Sequence, residues 1–169
     1  MKDRFHCVLR SACAYILAGA LVACAPQTSG TYRDPSAPFG ATTRFDPVSF
    51  AGEWELVASF DPAVRGRVSF THDPSTQTVT LTSDVIPAQV GVYAIDAPGV
   101  LVKSAPPEET LVVMWVDEGF RTAVIGTVSG DFGAVINRGT EIPRDRDTAA
   151  REILAFYGWD VSQLKRIIP

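Results

Sequence analysis

Few residues in this sequence could do chemistry. The chain has 169 residues, with two histidines and three cysteines. His72 lies in "THDP", at the end of an alternating segment and beside a proline turn, where a solvated imidazole is expected. A Ser–His–Asp triad in the body of the chain would have to use it. The carboxylates Glu108-Glu109 and Asp117-Glu118 are adjacent pairs in loops and read as solvated turn charges. "GTVSGDFG", residues 126–133, is glycine-rich. No lysine and no helix follow it, so it reads as a hairpin and not as a phosphate loop. No histidine or cysteine spacing suits a metal. These residues predict a protein that is not an enzyme, with no catalytic residue, no cofactor and no metal.

The first 23 residues stand apart. "MKDRFHCVLR" carries Lys2, Arg4 and Arg10, and the apolar run "SACAYILAGALVA" follows. Together they read as the charged and hydrophobic regions of a secretory signal. The apolar run is short for a permanent membrane span. "LVAC", residues 21–24, resembles the bacterial lipobox. That resemblance implies cleavage before Cys24 and acylation of that cysteine. Cys7 and Cys13 would leave with the signal, and Cys24 would be the one cysteine of the mature chain. A disulfide within the domain, or a free Cys–His pair, is then excluded, and the fold rests on its own core. Ala25 stands where an Asp retains many enteric lipoproteins at the inner membrane. The resemblance therefore implies an outer-membrane, periplasm-facing, lipid-anchored protein of the bacterial envelope.

Charge points the same way. Lys+Arg 15 and Asp+Glu 19 fall to 12 and 18 once Lys2, Arg4, Arg10 and Asp3 are set aside, a net of −6. An acidic domain with no basic run suits neither nucleic acid nor an anionic lipid surface. Membrane attachment would come from the acyl chains, of which more than one is needed for stable anchoring.

The elements follow from pattern. Residues 24–44, the cysteine and a stretch rich in Pro, Gly, Ser and Thr, read as a flexible tether spanning roughly 25 Å. Residues 45–169 form the domain. "EWELVASF" alternates, with Trp54, Leu56, Ala58 and Phe60 on one predicted face. "GRVSFTHD", "QTVTLTS", "QVGVYAID", "GVLVKS", "ETLVVMWVDEG", "FRTAVIGTV" and "FGAVINRG" follow as strands with turn signals between them. The sixth is apolar almost throughout. About eight sequential strands on short loops predict an up-and-down antiparallel meander that closes into a small barrel. "DRDTAAREILAFYG", residues 145–158, has helical spacing, with Asp145 or Asp147 to cap it and Gly158 to end it. One amphipathic helix must dock on the barrel wall. "VSQLKRII" supplies a short last strand.

In this order the chain resembles the lipocalins, and among them the bacterial outer-membrane lipocalin lipoproteins. "FDPVSFAGEWELVASF" is similar to the family's opening motif, with Gly52 and Trp54 at its two best-marked positions. "VDEGFRTAVIG" is similar to the second motif through Asp117 and Phe120, and "AVINRGTEIP" to the third, in which an arginine, here Arg138, ends a strand. "FYGWDVSQLKRI" resembles the ending of the bacterial subgroup. Trp54 and Arg138, by parity with Leu56 and Ile136, are expected to meet at the end where the chain enters and to close it, a guanidinium over an indole.

The resemblance implies storage or transfer of a small hydrophobic or amphiphilic ligand, a fatty acid such as palmitate or a lysophospholipid. Inward parity marks Phe70, Leu81, Tyr93, Trp115 and Phe132 as its lining. Two occupancies remain open. In one the side chains leave a cup; in the other they fill the barrel, as the short segments 61–67 and 83–91 suggest for its mouth loops. A filled barrel would make the chain a ligand-free lipoprotein that acts through protein–protein contacts. The sequence does not set the oligomeric state.

Overall fold

A computed structural model describes residues 31–167, so the signal segment and Cys24 lie outside the described residues. The chain enters through a one-turn helix, α1 (Pro47–Phe50), which Asp46 caps by accepting from the Ser49 N–H at 2.9 Å. Eight antiparallel strands follow: β1 (Gly52–Ser59), β2 (Arg67–Asp73), β3 (Thr78–Thr82), β4 (Gly91–Ala97), β5 (Val100–Lys103), β6 (Glu109–Val116), β7 (Thr122–Thr127) and β8 (Gly133–Asn137). Each pairs with the next, and β1 pairs with both β8 and β2, so the sheet closes on itself. This is an eight-stranded up-and-down barrel, as the meander predicts. Closure leaves no edge to be protected along most of β1. β1 and β2 part after Glu55, and the last strand, β9 (Lys165–Arg166), takes the vacated edge beside Ala58 and Ser59.

Three register shifts interrupt the sheet, one of them between Ile95 and Ala97 on β4, and the other two decide which residues of β1 and β6 face inward. The register of β1 against β8 shifts between Leu56 and Ala58. Trp54 and Leu56 point into the barrel, whereas Ala58 and Phe60 join the outer layer. Strict alternation, which places all four on one face, is corrected by that one extra residue. The register of β6 against β7 shifts in the same way between Val113 and Trp115. Leu111, Val113 and Val116 point in, and Val112, Met114 and Trp115 point out. The continuous apolar run of β6 thus has a cause. Its strand is covered on both faces.

The outer cover is α2 (Arg144–Phe156) with the segment that follows it. Ala150 and Leu154 are its buried residues, Asp145 and Asp147 lie in its first turn, and Pro143 stands at the cap position with no side-chain cap bond. Gly126 and Gly133 are paired across β7 and β8 and leave a bare patch on the wall. The Trp159 indole fills it. A Cβ at Gly133 would lie 2.4 Å from the ring, and one at Gly126 2.7 Å from it.

The expected tether is in large part wall. Residues 31–44 dock along the outside of the barrel. Arg33, only 6% exposed, donates to the carbonyls of Tyr157, Ala37 and Pro38, and its guanidinium lies 4.4 Å from the centre of the Phe39 ring. Tyr32 stacks on Phe60, and Thr42 N–H donates to the Val113 carbonyl at 2.9 Å. Buried contacts made at both ends of the segment outweigh its loop-like composition. Among the described residues no helix is long and apolar enough to cross a membrane.

The Trp159 patch gives a direct test. Gly133→Ala forces a methyl into the indole, and overpacking of this kind costs about 1–3 kcal/mol. The expected outcome in urea denaturation is a lower midpoint with the slope unchanged, and a milder effect for Ala134→Gly, which removes a methyl group.

Candidate functional site

The end at which β1 begins is closed by a cluster of tilted and edge-on aromatics. Phe50 is the hub, packing against Phe45, Trp54 and Phe70 with ring centres 4.9–5.2 Å away. The Trp54 indole N–H donates to the Phe50 carbonyl at 2.9 Å. The Arg138 guanidinium lies over the Trp54 ring at 3.9 Å. It donates to the carbonyls of Glu53, Ser49, Phe50 and Ala51 at 2.9–3.2 Å, while its Nε donates to Phe120 at 3.2 Å. Its outer face remains in water, so it lies under the floor rather than inside the barrel. Gly52 has φ +108°, and a Cβ there would lie 2.9 Å from the arginine Nη1. The spacing of Gly52, Trp54 and Arg138 therefore has a local reason: the guanidinium can reach the ring only across a residue without a side chain.

Asp117 builds the neighbouring β6–β7 loop. One carboxylate oxygen accepts from the backbone N–H groups of Arg121 and Thr122, and the other from the Arg121 side chain at 2.9 Å. Burial pushes its carboxyl up. The two backbone donors and the Arg121 guanidinium outweigh burial and hold it below its ordinary value. His72, expected in a solvated turn, instead follows Val68 and Phe70 on β2, and its Nε2 is buried without a partner. Among the described residues no cluster of His, Cys, Asp and Glu could hold a metal ion.

The opposite end is the mouth. Three inward positions lie side by side there: Tyr93 on β4, Lys103 on β5 and, paired with Lys103, Glu109 on β6. The loop between β3 and β4 folds over them. Ile86, on that loop, is 2% exposed and belongs to the interior cluster. The Tyr93 hydroxyl donates to the Gln89 carbonyl, and the buried Lys103 ammonium donates to Ala88 at 2.8 Å and Val90 at 3.4 Å. Gly91 makes way for the lysine stem, since a Cβ there would lie 2.6 Å from its Cδ. Burial, with a smaller contribution from the charge of Glu109, pushes the Tyr93 hydroxyl up to about 12. Glu109 is itself pushed up by burial and by Asp131, with Lys103 opposing. Beside them a cavity of about 320 Å³ opens on the rim, lined by Val102, Lys103, Ser104, Glu108, Glu109, Thr110 and Val128.

Four of the five expected lining residues are brought together. Phe70, Leu81, Tyr93 and Phe132 belong to the interior cluster. Trp115 does not, because the β6 bulge turns it to the outer layer. Between floor and mouth the interior is filled. Leu81, Tyr93, Leu101, Leu111, Val113, Ile125 and Ile136 each show 0% exposure. A void large enough for one water molecule would have exposed the side chains around it, so none borders these seven. Lys103, Glu109 and Ile86 were absent from the sequence-based site. The alternation of β5 carried a signal for the first, since Lys103 shares parity with buried Leu101.

No protein-family model matches the sequence, and no curated protein matches it by sequence. Among solved structures, the bovine lipocalin allergen Bos d 2 is similar, with a TM-score of 0.56 and 13% identity over 72% of this chain and 94% of that one. The barrel has a lipocalin fold. Lobster apocrustacyanin A1 is also similar, at a TM-score of 0.49 and 12% identity over 72% of this chain and 78% of that one. At such identities the likeness extends to the lipocalin fold and no further.

Two outcomes test the closed end. Arg138→Ala is expected to cost roughly 1–2 kcal/mol, at the low end for charge-assisted bonds because water reaches one face of the guanidinium. Arg138→Lys should recover little, since an ammonium cannot serve carbonyls spread around a planar fork. The lowered carboxyl of Asp117 gives the sign of a pH effect. Its stabilising contribution is present above the ordinary value of 3.8 and is lost as pH falls through the lower folded value. Denaturation midpoints should therefore drop more steeply below that pH in the parent chain than in Asp117→Asn.

Proposed function

We propose that this chain is a lipid-anchored envelope protein of the lipocalin type, held in the outer membrane by acyl chains on Cys24 and facing the periplasm. Its barrel takes up one small hydrophobic or amphiphilic ligand of the fatty acid or lysophospholipid class for storage or transfer. It binds and does not catalyse. The way the mouth is sealed carries this reading. Ile86 plugs the apolar interior from a loop, and that loop is tied down at the rim by Tyr93 and Lys103. Swinging the loop out removes Ile86 and frees an apolar slot ringed by an ammonium, a phenol and a carboxyl. The ligand's apolar part would take the slot, gaining about 0.8 kcal/mol for each CH₂ buried. Its polar head would stay beside Lys103 and Glu109 in the rim cavity. The filled interior limits the size. Withdrawing one loop side chain frees room for a few carbons, so a full palmitoyl chain would also need the inner side chains to move.

A second reading is favoured by the same 0% exposures: a barrel that has kept the fold with its interior as an ordinary core, and that acts through contacts with other envelope proteins. Titration separates the two. The domain with its floor tryptophan is followed by fluorescence against lysophospholipids and fatty acids of graded chain length. Saturable binding of about one ligand per barrel, tightest for short chains and accelerated in Ile86→Ala and Lys103→Met, is the expected result. No saturable binding by the folded parent or by either variant would overturn the ligand reading and leave the second.

A further inference from the structure

We infer that the barrel lies with its mouth against the lipid surface, and that this surface is zwitterionic rather than anionic. The inference rests on the reading of Cys24 as the anchor. The docked N-terminal segment begins at the mouth. Tyr32 N–H donates to the Gly130 carbonyl at 3.0 Å, and a Cβ on Gly130 would lie 3.5 Å from that of Thr31. Gly130 lies in the turn between β7 and β8, opposite the floor. From Tyr32 onward the chain is fixed to the wall by the Arg33 bonds and the Tyr32–Phe60 stack, and cannot pay out further. Residues 25–30 alone separate Cys24 from Thr31. Seven chain steps reach about 25 Å at full extension and roughly 15 Å as a coil. An eight-residue strand such as β1 is itself about 25 Å long. Facing the floor to the membrane would demand a leash stretched along nearly the whole barrel, whereas facing the mouth demands none.

The mouth also carries apolar residues that a lipid surface would accept. Each of its four loops carries an exposed apolar tip: Pro62, Pro87 with Val90, Pro106, and Val128, the last 48% exposed. The turns at the floor end expose Pro74, Ala97 and Pro98 beside Asp73, Ser75, Thr76, Asp96 and Glu118, and α1 exposes Val48, so the short leash, and not apolar dressing, sets the orientation. Exposed charge on the mouth loops is Asp61, Asp84, Glu108 and Asp131 against Arg65. Four acids and one base would be repelled by an anionic surface and tolerated by phosphatidylcholine or phosphatidylethanolamine. An amphiphile could then move between bilayer and rim cavity without crossing bulk water.

The test uses the mature lipoprotein carrying its own acyl chains, reconstituted into phosphatidylcholine vesicles that contain a headgroup-borne quencher. A dye is placed at the mouth through Ala105→Cys, or at the floor through Thr76→Cys, with acylated Cys24 unreactive. The expected result is several-fold stronger quenching at position 105 than at position 76. Adding phosphatidylglycerol at low salt should weaken the quenching at 105, and lengthening the leash with a flexible insert after Ala25 should narrow the difference. Equal or reversed quenching on an acylated chain would overturn the orientation alone. Stronger quenching on phosphatidylglycerol would overturn the charge preference. An unacylated Cys24 by mass spectrometry would overturn the anchor reading and the orientation with it.

Discussion

Arg138 gathers carbonyls from α1, from the start of β1 and from the β6–β7 loop, while its guanidinium covers the Trp54 ring. The α1–β1 junction, the β6–β7 loop and Arg138 itself come from distant parts of the chain, and a closed barrel must bring all of them to one end. Strand pairing alone does not do this, since a sheet closes on its sides and leaves its ends open. The aromatic cluster supplies the plug, and the arginine fixes the plug to the sheet. Burial lowers the guanidinium from its ordinary value, a cost that the carbonyls facing it offset. With the floor set in this way, the inward rows of every strand have a fixed lower layer on which to pack.

From that layer upward the interior fills by rank. Phe70 lies opposite Leu81 across β2 and β3, and Val79 lies opposite Tyr93 across β3 and β4. Small and large residues alternate across β7 and β8, with Ala123 paired with Ile136 and Ala134 with Ile125. The result is close-packed, and close packing is what removes a standing cup. Opening the interior at the mouth would then fall to the residues contributed there by loops, Ile86 with Val64, Val85 and Phe132. The cost of opening is the loss of Ile86 burial and of a few rim hydrogen bonds, which is small beside the cost of parting strands.

Much of this was legible in the sequence, and the parts that were not share a cause. Strand number, order, the docked helix and the Gly52–Trp54–Arg138 grouping follow from local pattern, because each is written in residues near one another or in a fixed motif. Face assignment failed beyond two points, at Ala58 and at Trp115, because one extra residue in a strand inverts parity from there on and leaves no mark in composition. His72 was misplaced for a simpler reason. Its strand runs one residue further than the proline turn suggests, so the ring follows Phe70 inward. The mouth cluster was missed because a lysine in an alternating strand is ordinarily taken as solvent-facing. Here its stem lies along the gap left by Gly91, and its ammonium finds backbone carbonyls supplied by a loop.

The N-terminal segment shows how far composition can mislead. Pro, Gly, Ser and Thr between Ala25 and Arg44 suggest a coil, and a coil would let the barrel tumble freely above its point of attachment. Burial of Arg33 among the Tyr157, Ala37 and Pro38 carbonyls converts most of that stretch into wall. A guanidinium is placed in such a position only when every strong donor direction is met, so the segment is held by a group that would be costly to leave unpaired. From Thr31 onward, what composition marks as slack is therefore structure. Fixing the segment at the mouth rim places Thr31 beside the loop-sealed opening of the barrel, so the anchor proposed at Cys24 would lie a few residues from that opening.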